Sequence, residues 1–126
     1  MSVSSHVLLI EDDEPLSGIL SAYLRARGYE VTVSPTAEAA QSALSGGLRP
    51  DIVLLDINLP GETGWSIVRS AALATAGAPP VVVTSAMSIS PDRLREFGVA
   101  GYLPKPFALE TLLSTIDRLL SSEDES

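Results

Sequence analysis

The sequence predicts an α/β fold: a three-layer sandwich in which helices cover both faces of a five-stranded parallel sheet. Three observations lead there. First, Val7-Leu8-Leu9-Ile10 and Ile52-Val53-Leu54-Leu55 are apolar without alternation, and Val81-Val82-Val83-Thr84 is continuous in β-branched residues. Such runs belong to strands buried on both faces. Second, segments with apolar residues at helical spacing separate these runs. Third, strand and helix alternate along the whole chain, which gives βαβ units, and right-handed crossovers leave a doubly wound arrangement as the natural topology.

The elements follow in order. After the first strand, Glu11-Asp12-Asp13-Glu14 forms an acidic loop. Leu16, Ile19, Leu20, Tyr23 and Leu24 then mark one face of a helix that stops at Gly28. Tyr29, Val31 and Val33 alternate with polar residues, as in a half-exposed edge strand. Pro35-Thr36 opens a second helix that runs to about Leu44, and Gly46-Gly47 ends it. The buried run from Asp51 to Asp56 is the third strand, followed by a turn at Pro60-Gly61. A third helix is expected from Gly64 to about Ala76, with Trp65, Val68, Ala72 and Leu73 inward. Pro79-Pro80 precedes the fourth strand. Ser90-Pro91-Asp92 supplies an N-cap, a proline at the first helical position and a first-turn acid for a short helix that ends at Gly98. Met87 to Ser90 has few packing residues, and mobility is expected there. Ala100 to Leu103 is the last strand. Leu109, Leu112, Leu113, Ile116 and Leu120 line a final amphipathic helix with Ala108, a poor cap, at its start. One domain over residues 1–121 and a frayed acidic tail over 122–126 are expected.

Composition narrows the function. At 126 residues the chain can bury about two thirds of its unfolded surface, enough for one real core. It has no cysteine, which excludes disulfides and thiolate metal sites. No basic leader precedes the short apolar run at Val7, and no stretch is long enough to span a membrane, so a soluble cytoplasmic protein is expected. A net charge of −8 argues against a large nucleic-acid surface.

In a parallel sheet the carboxyl ends of all strands share one rim. Asp12 and Asp13 follow the first strand, Asp56 ends the third, Thr84 ends the fourth, and Lys105, the only lysine, follows the fifth. Three carboxylates against one ammonium leave two uncompensated negative charges. All-oxygen ligation of that kind suits Mg²⁺, or Mn²⁺. With such an ion present, a carboxylate can act as a nucleophile toward phosphorus, and Lys105 and Thr84 can contact the phosphoryl oxygens. Each residue also has a plainer reading. Asp12 and Asp13 suit the positive end of a helix dipole without further role, Thr84 is a good strand residue, Lys105 a solvated charge, Tyr102 half-buried packing and Trp65 core or rim. His6, the only histidine, precedes the first strand and has no serine partner for nucleophilic catalysis.

The chain resembles the receiver domains of two-component response regulators over nearly its whole length. The likeness rests on Val7 to Asp13, on Asp56-Ile57-Asn58-Leu59-Pro60-Gly61-Glu62-Thr63-Gly64, on Val82-Val83-Thr84-Ser85-Ala86 and on Gly101-Tyr102-Leu103-Pro104-Lys105-Pro106-Phe107. Any one of these blocks is weak. All four in this order are specific. The resemblance implies a flavodoxin-like (βα)₅ sandwich with strand order 2-1-3-4-5. It makes Asp56 the phosphoacceptor and assigns Mg²⁺ to Asp13 and Asp56 directly, to Asp12 through water, and to the Asn58 carbonyl. Lys105 would hold the phosphoryl group, its bond to Pro106 would be cis, and Thr84 and Tyr102 would form the switch. A histidine kinase or a phosphotransfer protein would be the donor. A downstream protein would read the face made by the fourth helix, fifth strand and fifth helix. The domain would catalyse its own phosphorylation and dephosphorylation rather than act as an enzyme on a separate substrate.

Two other readings compete. A haloacid dehalogenase-type phosphatase also uses an aspartate after an apolar strand, but needs a second acid two residues on, where this chain has Asn58. A degenerate receiver would bind partners without phosphorylation, yet every residue type required for phosphorylation is present. No helix-turn-helix follows the domain, so a stand-alone receiver, or one cut from a longer regulator, is expected to act through proteins and not on DNA directly. The mostly polar outer face of the last helix suggests a monomer or a weak dimer formed on phosphorylation.

Overall fold

The computed structural model describes residues 4–59, 64–70 and 77–124, with side chains through Ser121. Strands β1 (His6–Ile10), β2 (Glu30–Ser34), β3 (Ile52–Asp56), β4 (Val81–Ser85) and β5 (Gly101–Pro104) form one parallel sheet in the order β2-β1-β3-β4-β5. The described helices are α1 (Glu14–Arg25), α2 (Ala37–Ser45), α3 (Gly64–Val68), α4 (Pro91–Phe97) and α5 (Leu109–Asp124). Pro60 to Thr63 and the expected continuation of the third helix through Ala72, Leu73 and Ala76 lie outside the described residues.

The period-two alternation of each strand sends its side chains into two separate cores. On one face Leu8, Ile10, Val53, Leu55, Val81 and Val83 pack with Ala37 and Ala40 of α2 and Ile67 and Val68 of α3. On the other, Val7, Leu9, Ile52, Leu54, Val82 and Leu103 pack with Leu20 and Leu24 of α1 and Leu112 and Ile116 of α5. This double burial explains why β1, β3 and β4 carry no polar alternation. Each fully buried Leu, Ile or Val side chain contributes about 1.5–3 kcal/mol, so these central strands hold the sandwich together. Strand β2 is the edge, as expected, but its burial does not alternate: Val31, Thr32 and Val33 are all half-buried and Ser34 is buried.

The helix ends agree with their local chemistry. Asp13 caps α1, Thr36 caps α2 and Ser90 caps α4, each accepting a backbone N–H from three residues on. Gly98 ends α4 in the left-handed conformation, at φ 67°, where a side chain would be strained.

Two expectations change. Leu16, Leu20, Tyr23 and Leu24 of α1 pack inward as expected, but Ser17 and Ser21 are buried with them and Ile19 is 56% exposed. Ser17 and Ser21 bury without cost in lost hydrogen bonds because their hydroxyls donate to the Glu14 and Gly18 carbonyls of their own helix. The acidic tail expected from residue 122 instead continues α5 to Asp124, since Ser121-Ser122-Glu123-Asp124 contains no glycine or proline to stop it.

Candidate functional site

Parallel pairing brings the strand ends to one rim. The register aligns Ile10 with Leu55, Asp56 with Thr84, and Ser85 with Pro104. Hydrogen bonds continue past the strands: Glu11 N–H donates to the Ser34 carbonyl, Ile57 N–H to that of Thr84, and Lys105 N–H to that of Ser85. The loops that carry the polar groups are therefore extensions of a rigid sheet.

Asp56 is 6% exposed. Its Oδ1 accepts the Asn58 backbone N–H at 3.0 Å, and its Oδ2 lies 3.3 Å from Lys105 Nζ. Lys105 Nζ also donates to Glu11 Oε1 at 2.9 Å. One ammonium thus bridges two buried carboxylates. The Lys105–Pro106 bond is cis, as the resemblance implies. Thr84 is buried beside Asp56 in the register. The Tyr102 hydroxyl donates to the Met87 carbonyl at 3.1 Å, so it reaches out over the segment that links β4 to α4.

The acidic group differs from the expected one by a residue. Carboxylate oxygens of Glu11, Asp12 and Asp56 all lie within 4.8 Å of one another. Asp13 is not among them. Its exposed carboxylate accepts the Leu16 N–H at 3.1 Å and caps α1, which is the plainer role that a helix start offers it. Glu11 was missed because the sequence reads it as the first residue of the acidic loop after the strand. Alternation alone assigns it to the face of Leu9, and the same alternation assigns Asp56 to the face of Leu54; both belong to the core beneath α1 and α5. Glu11 is 2% exposed, and the Asp13 N–H donates to its Oε2 at 3.2 Å.

Electrostatics follow from this packing. Burial pushes the Glu11 carboxyl up, against the lowering effects of its Lys105 and Asp13 hydrogen bonds, and the neighbouring Asp56 charge adds to the rise. Burial alone would lower Lys105, but the hydrogen bond to Glu11 and the charges of Asp56 and Glu11 outweigh it and hold the ammonium above its ordinary range. Both groups are raised, but with opposite effects on charge: burial, helped by the Asp56 charge, favours the neutral form of Glu11, while the two carboxylates favour the charged form of Lys105. Three converging carboxylates and one ammonium leave a net negative site of hard oxygen donors, the chemistry that fits a small divalent cation.

Other residues frame the crevice. The Ser85 hydroxyl, fully buried, donates to Asn58 Oδ1 at 2.6 Å and accepts the Met87 N–H at 3.0 Å. A groove of about 500 Å³ adjoins the site, lined by Leu16, Ile19 and Leu20 of α1 with Ala86, Lys105 and Phe107. Trp65 is half-buried and faces α4, at the rim rather than in the cluster.

A family model described as the response regulator receiver domain matches residues 7–117. The chain belongs to that family. Among curated relatives, the transcriptional activator protein PfeR of Pseudomonas aeruginosa is 41% identical over 119 residues, covering 93% of this chain and 38% of that protein. Protein PetR of Rhodobacter capsulatus is 36% identical over 123 residues, covering 96% of this chain and 51% of the relative. The chain thus spans about half of one of these relatives and less of the other. Among solved structures, the non-phosphorylated HemR receiver domain of Leptospira biflexa superposes with a TM-score of 0.80 at 31% identity, covering 94% of this chain and 95% of that one. A CheY-like receiver domain protein from Methanospirillum hungatei has a TM-score of 0.88 at 21% identity, covering 98% of each chain, a likeness of fold. Among the described residues no helix is long and apolar enough to cross a membrane.

Proposed function

We propose that this domain is a phosphorylation-dependent signalling switch with Asp56 as phosphoacceptor. The observation that carries the reading is the buried Asp56 carboxylate, bridged by Lys105 to Glu11 and held within 4.8 Å of two further acidic oxygens at the sheet rim. In transfer from a phosphohistidine, an Asp56 oxygen forms the new P–O bond as the donor's P–N bond breaks. The leaving imidazole takes its proton from water. Lys105 offers its ammonium to the phosphoryl oxygens as negative charge shifts onto them, and Thr84 offers its hydroxyl. Phosphoryl transfer asks for this positioning more than for a base. Glu11, Asp12, Asp56 and the Asn58 carbonyl would hold Mg²⁺, with Mn²⁺ as a substitute, in place of the set that included Asp13. The ion would supply the positive charge that lets a doubly negative phosphoryl group approach three carboxylates. Attack by water on the acyl phosphate returns the carboxylate and inorganic phosphate, so each event resets.

The donor is a histidine kinase or a phosphotransfer protein. The small, exposed Ala86 adds little bulk beside Lys105, and the apolar groove there gives such a protein a surface to rest on. Phosphorylation draws Thr84 toward the new group and lets Tyr102 leave Met87 and turn inward. This biases a two-state equilibrium read by partners on the face of α4, β5 and α5. The names of the relatives point to transcriptional control as the output, reached through a protein surface.

The test is intact mass after incubation with Mg²⁺ and acetyl phosphate. One added phosphoryl group, lost on base treatment and absent in Asp56→Asn, is the expected result. Equal labelling of Asp56→Asn would sink the assignment.

A further inference from the structure

Helix α4 is weakly seated. None of its side chains is fully buried, so its position depends on what its partly exposed residues touch. On the side facing α3 these contacts are reciprocal. The Phe97 ring of α4 stacks on the Trp65 ring of α3, with centroids 4.6 Å apart and planes tilted by 36°. Arg69, just after α3, lays its guanidinium 4.4 Å over the Phe97 ring and pairs with Glu96 of α4 at 3.2 Å. Arg93 of α4 answers from the other side, 5.6 Å from the Trp65 ring and 3.9 Å from Glu96. Each helix thus caps the other's aromatic ring with an arginine, and Glu96 links the two cations.

We propose that this clasp is a latch, which holds α4 in its unphosphorylated position and opposes the switch at Asp56. The inference rests on the phosphoacceptor reading above. Its α3 half is fixed to the phosphoacceptor strand: Gly64 N–H donates to the Ile57 carbonyl at 3.1 Å, and a Cβ at Gly64 would stand 2.7 Å from the Ile57 Cα. The start of α3 is thus held directly against the residue that follows Asp56. The α4 half is preceded by Met87, which is 67% exposed and is tied to β5 by the Tyr102 hydroxyl. Besides the packing of Ile89, Phe97 and Val99 on the core and the Met87 N–H bond to Ser85, two contacts among the described residues set where α4 sits, the Tyr102–Met87 tie and the clasp. An inward turn of Tyr102 releases the first. The clasp remains, and displacement of α4 must unstack it. By linkage, whatever phosphorylation spends on opening the clasp is returned when the clasp is already loose.

The experiment compares wild type with Phe97→Leu, which keeps apolar bulk but removes the ring, and with Glu96→Gln, an exposed change that breaks the ion pairs and leaves the rings. Two readouts are taken on each folded protein. Amide hydrogen exchange without metal or phosphate reports the clasp itself, and affinity for the phosphoryl mimic beryllofluoride with Mg²⁺ reports the coupling. We expect faster exchange across residues 87–98 with β1 and β3 unchanged, and beryllofluoride binding tighter by about two- to tenfold in Phe97→Leu, the range an aromatic pair supports. Faster exchange with unchanged or weaker beryllofluoride binding would overturn the latch. Unchanged exchange in both variants would overturn the clasp. Absence of beryllofluoride binding by wild type would overturn the phosphoacceptor reading and the latch with it, and is told apart by the wild-type arm alone.

Discussion

Asp56 and Lys105 depend on each other for opposite reasons. The buried carboxylate needs a counter-charge, and the ammonium, 20% exposed, recovers what it loses to burial only by touching Glu11 and Asp56 together. Glu11 is the residue whose role needed the structure. The run Glu11-Asp12-Asp13-Glu14 offers four acids in a row, and only by carrying the alternation of β1 one residue further would Glu11 fall on the face of Asp56. Chain direction after a strand depends on the next hydrogen bond, here Glu11 N–H to the Ser34 carbonyl and Leu16 N–H to the Asp13 carboxylate. The two acids are therefore expected to separate on mutation. Glu11→Gln should weaken Mg²⁺ binding by about tenfold or more, since it removes a charge from the ion's surroundings. Asp13→Ala should leave Mg²⁺ affinity near wild type but cost about 1 kcal/mol of stability as a lost cap. Isothermal titration with Mg²⁺ and urea unfolding on both variants decide it; the reverse pattern would restore Asp13 as the ligand.

At the scale of elements, most boundaries were written in local chemistry. Ser90-Pro91-Asp92 and Gly98 bracket α4, and Thr36 starts α2, because caps and left-handed glycines act through neighbours in sequence. The face of α1 was not. Its apolar residues mark one stripe, but only docking on the sheet sets that stripe's edge, leaving Ile19 exposed and burying Ser17 and Ser21. Two substitutions test this scale. Gly64→Ala places a methyl group against the Ile57 backbone and should destabilise by about 1–3 kcal/mol, as overpacking does where the neighbour cannot yield. Because Ile57 lies between Asp56 and Asn58, slower labelling by acetyl phosphate should accompany it. Ala108→Ser, at the start of α5, should stabilise by about 0.5–1 kcal/mol in urea unfolding by supplying the missing cap. No gain would mean that the α5 N–H groups are already satisfied.

At the scale of the molecule, contacts distant in sequence join the layers. The Tyr29 hydroxyl, at the start of the edge strand, donates to the Asp117 carboxylate on α5, across 88 residues. Burial first, then that hydrogen bond and the Asp117 charge, raise the Tyr29 phenol well above its ordinary value of 10.0. A raised phenol stabilises the fold while it stays protonated, so its contribution is complete below pH 10 and is lost as pH rises beyond it. Wild type should be more stable than Tyr29→Phe by about 0.5–1 kcal/mol at neutral pH, within the range of a partly exposed hydrogen bond. The difference should close in thermal melts taken at increasing pH above 10. A constant difference would remove Tyr29 as its source.

The sequence by itself determined the layer order of this protein: five βα units, three strands buried on both faces, and reactive residue types at the strand ends. Those features come from local periodicity and from the rule that parallel strands share a rim. Tertiary structure alone decided that Asp13 turns away to cap α1, that Ile19 stays exposed while Ser17 and Ser21 are buried, and that Trp65 clasps α4. Each of these depends on the angle at which one element meets another, and that angle is set by packing between residues far apart in the chain.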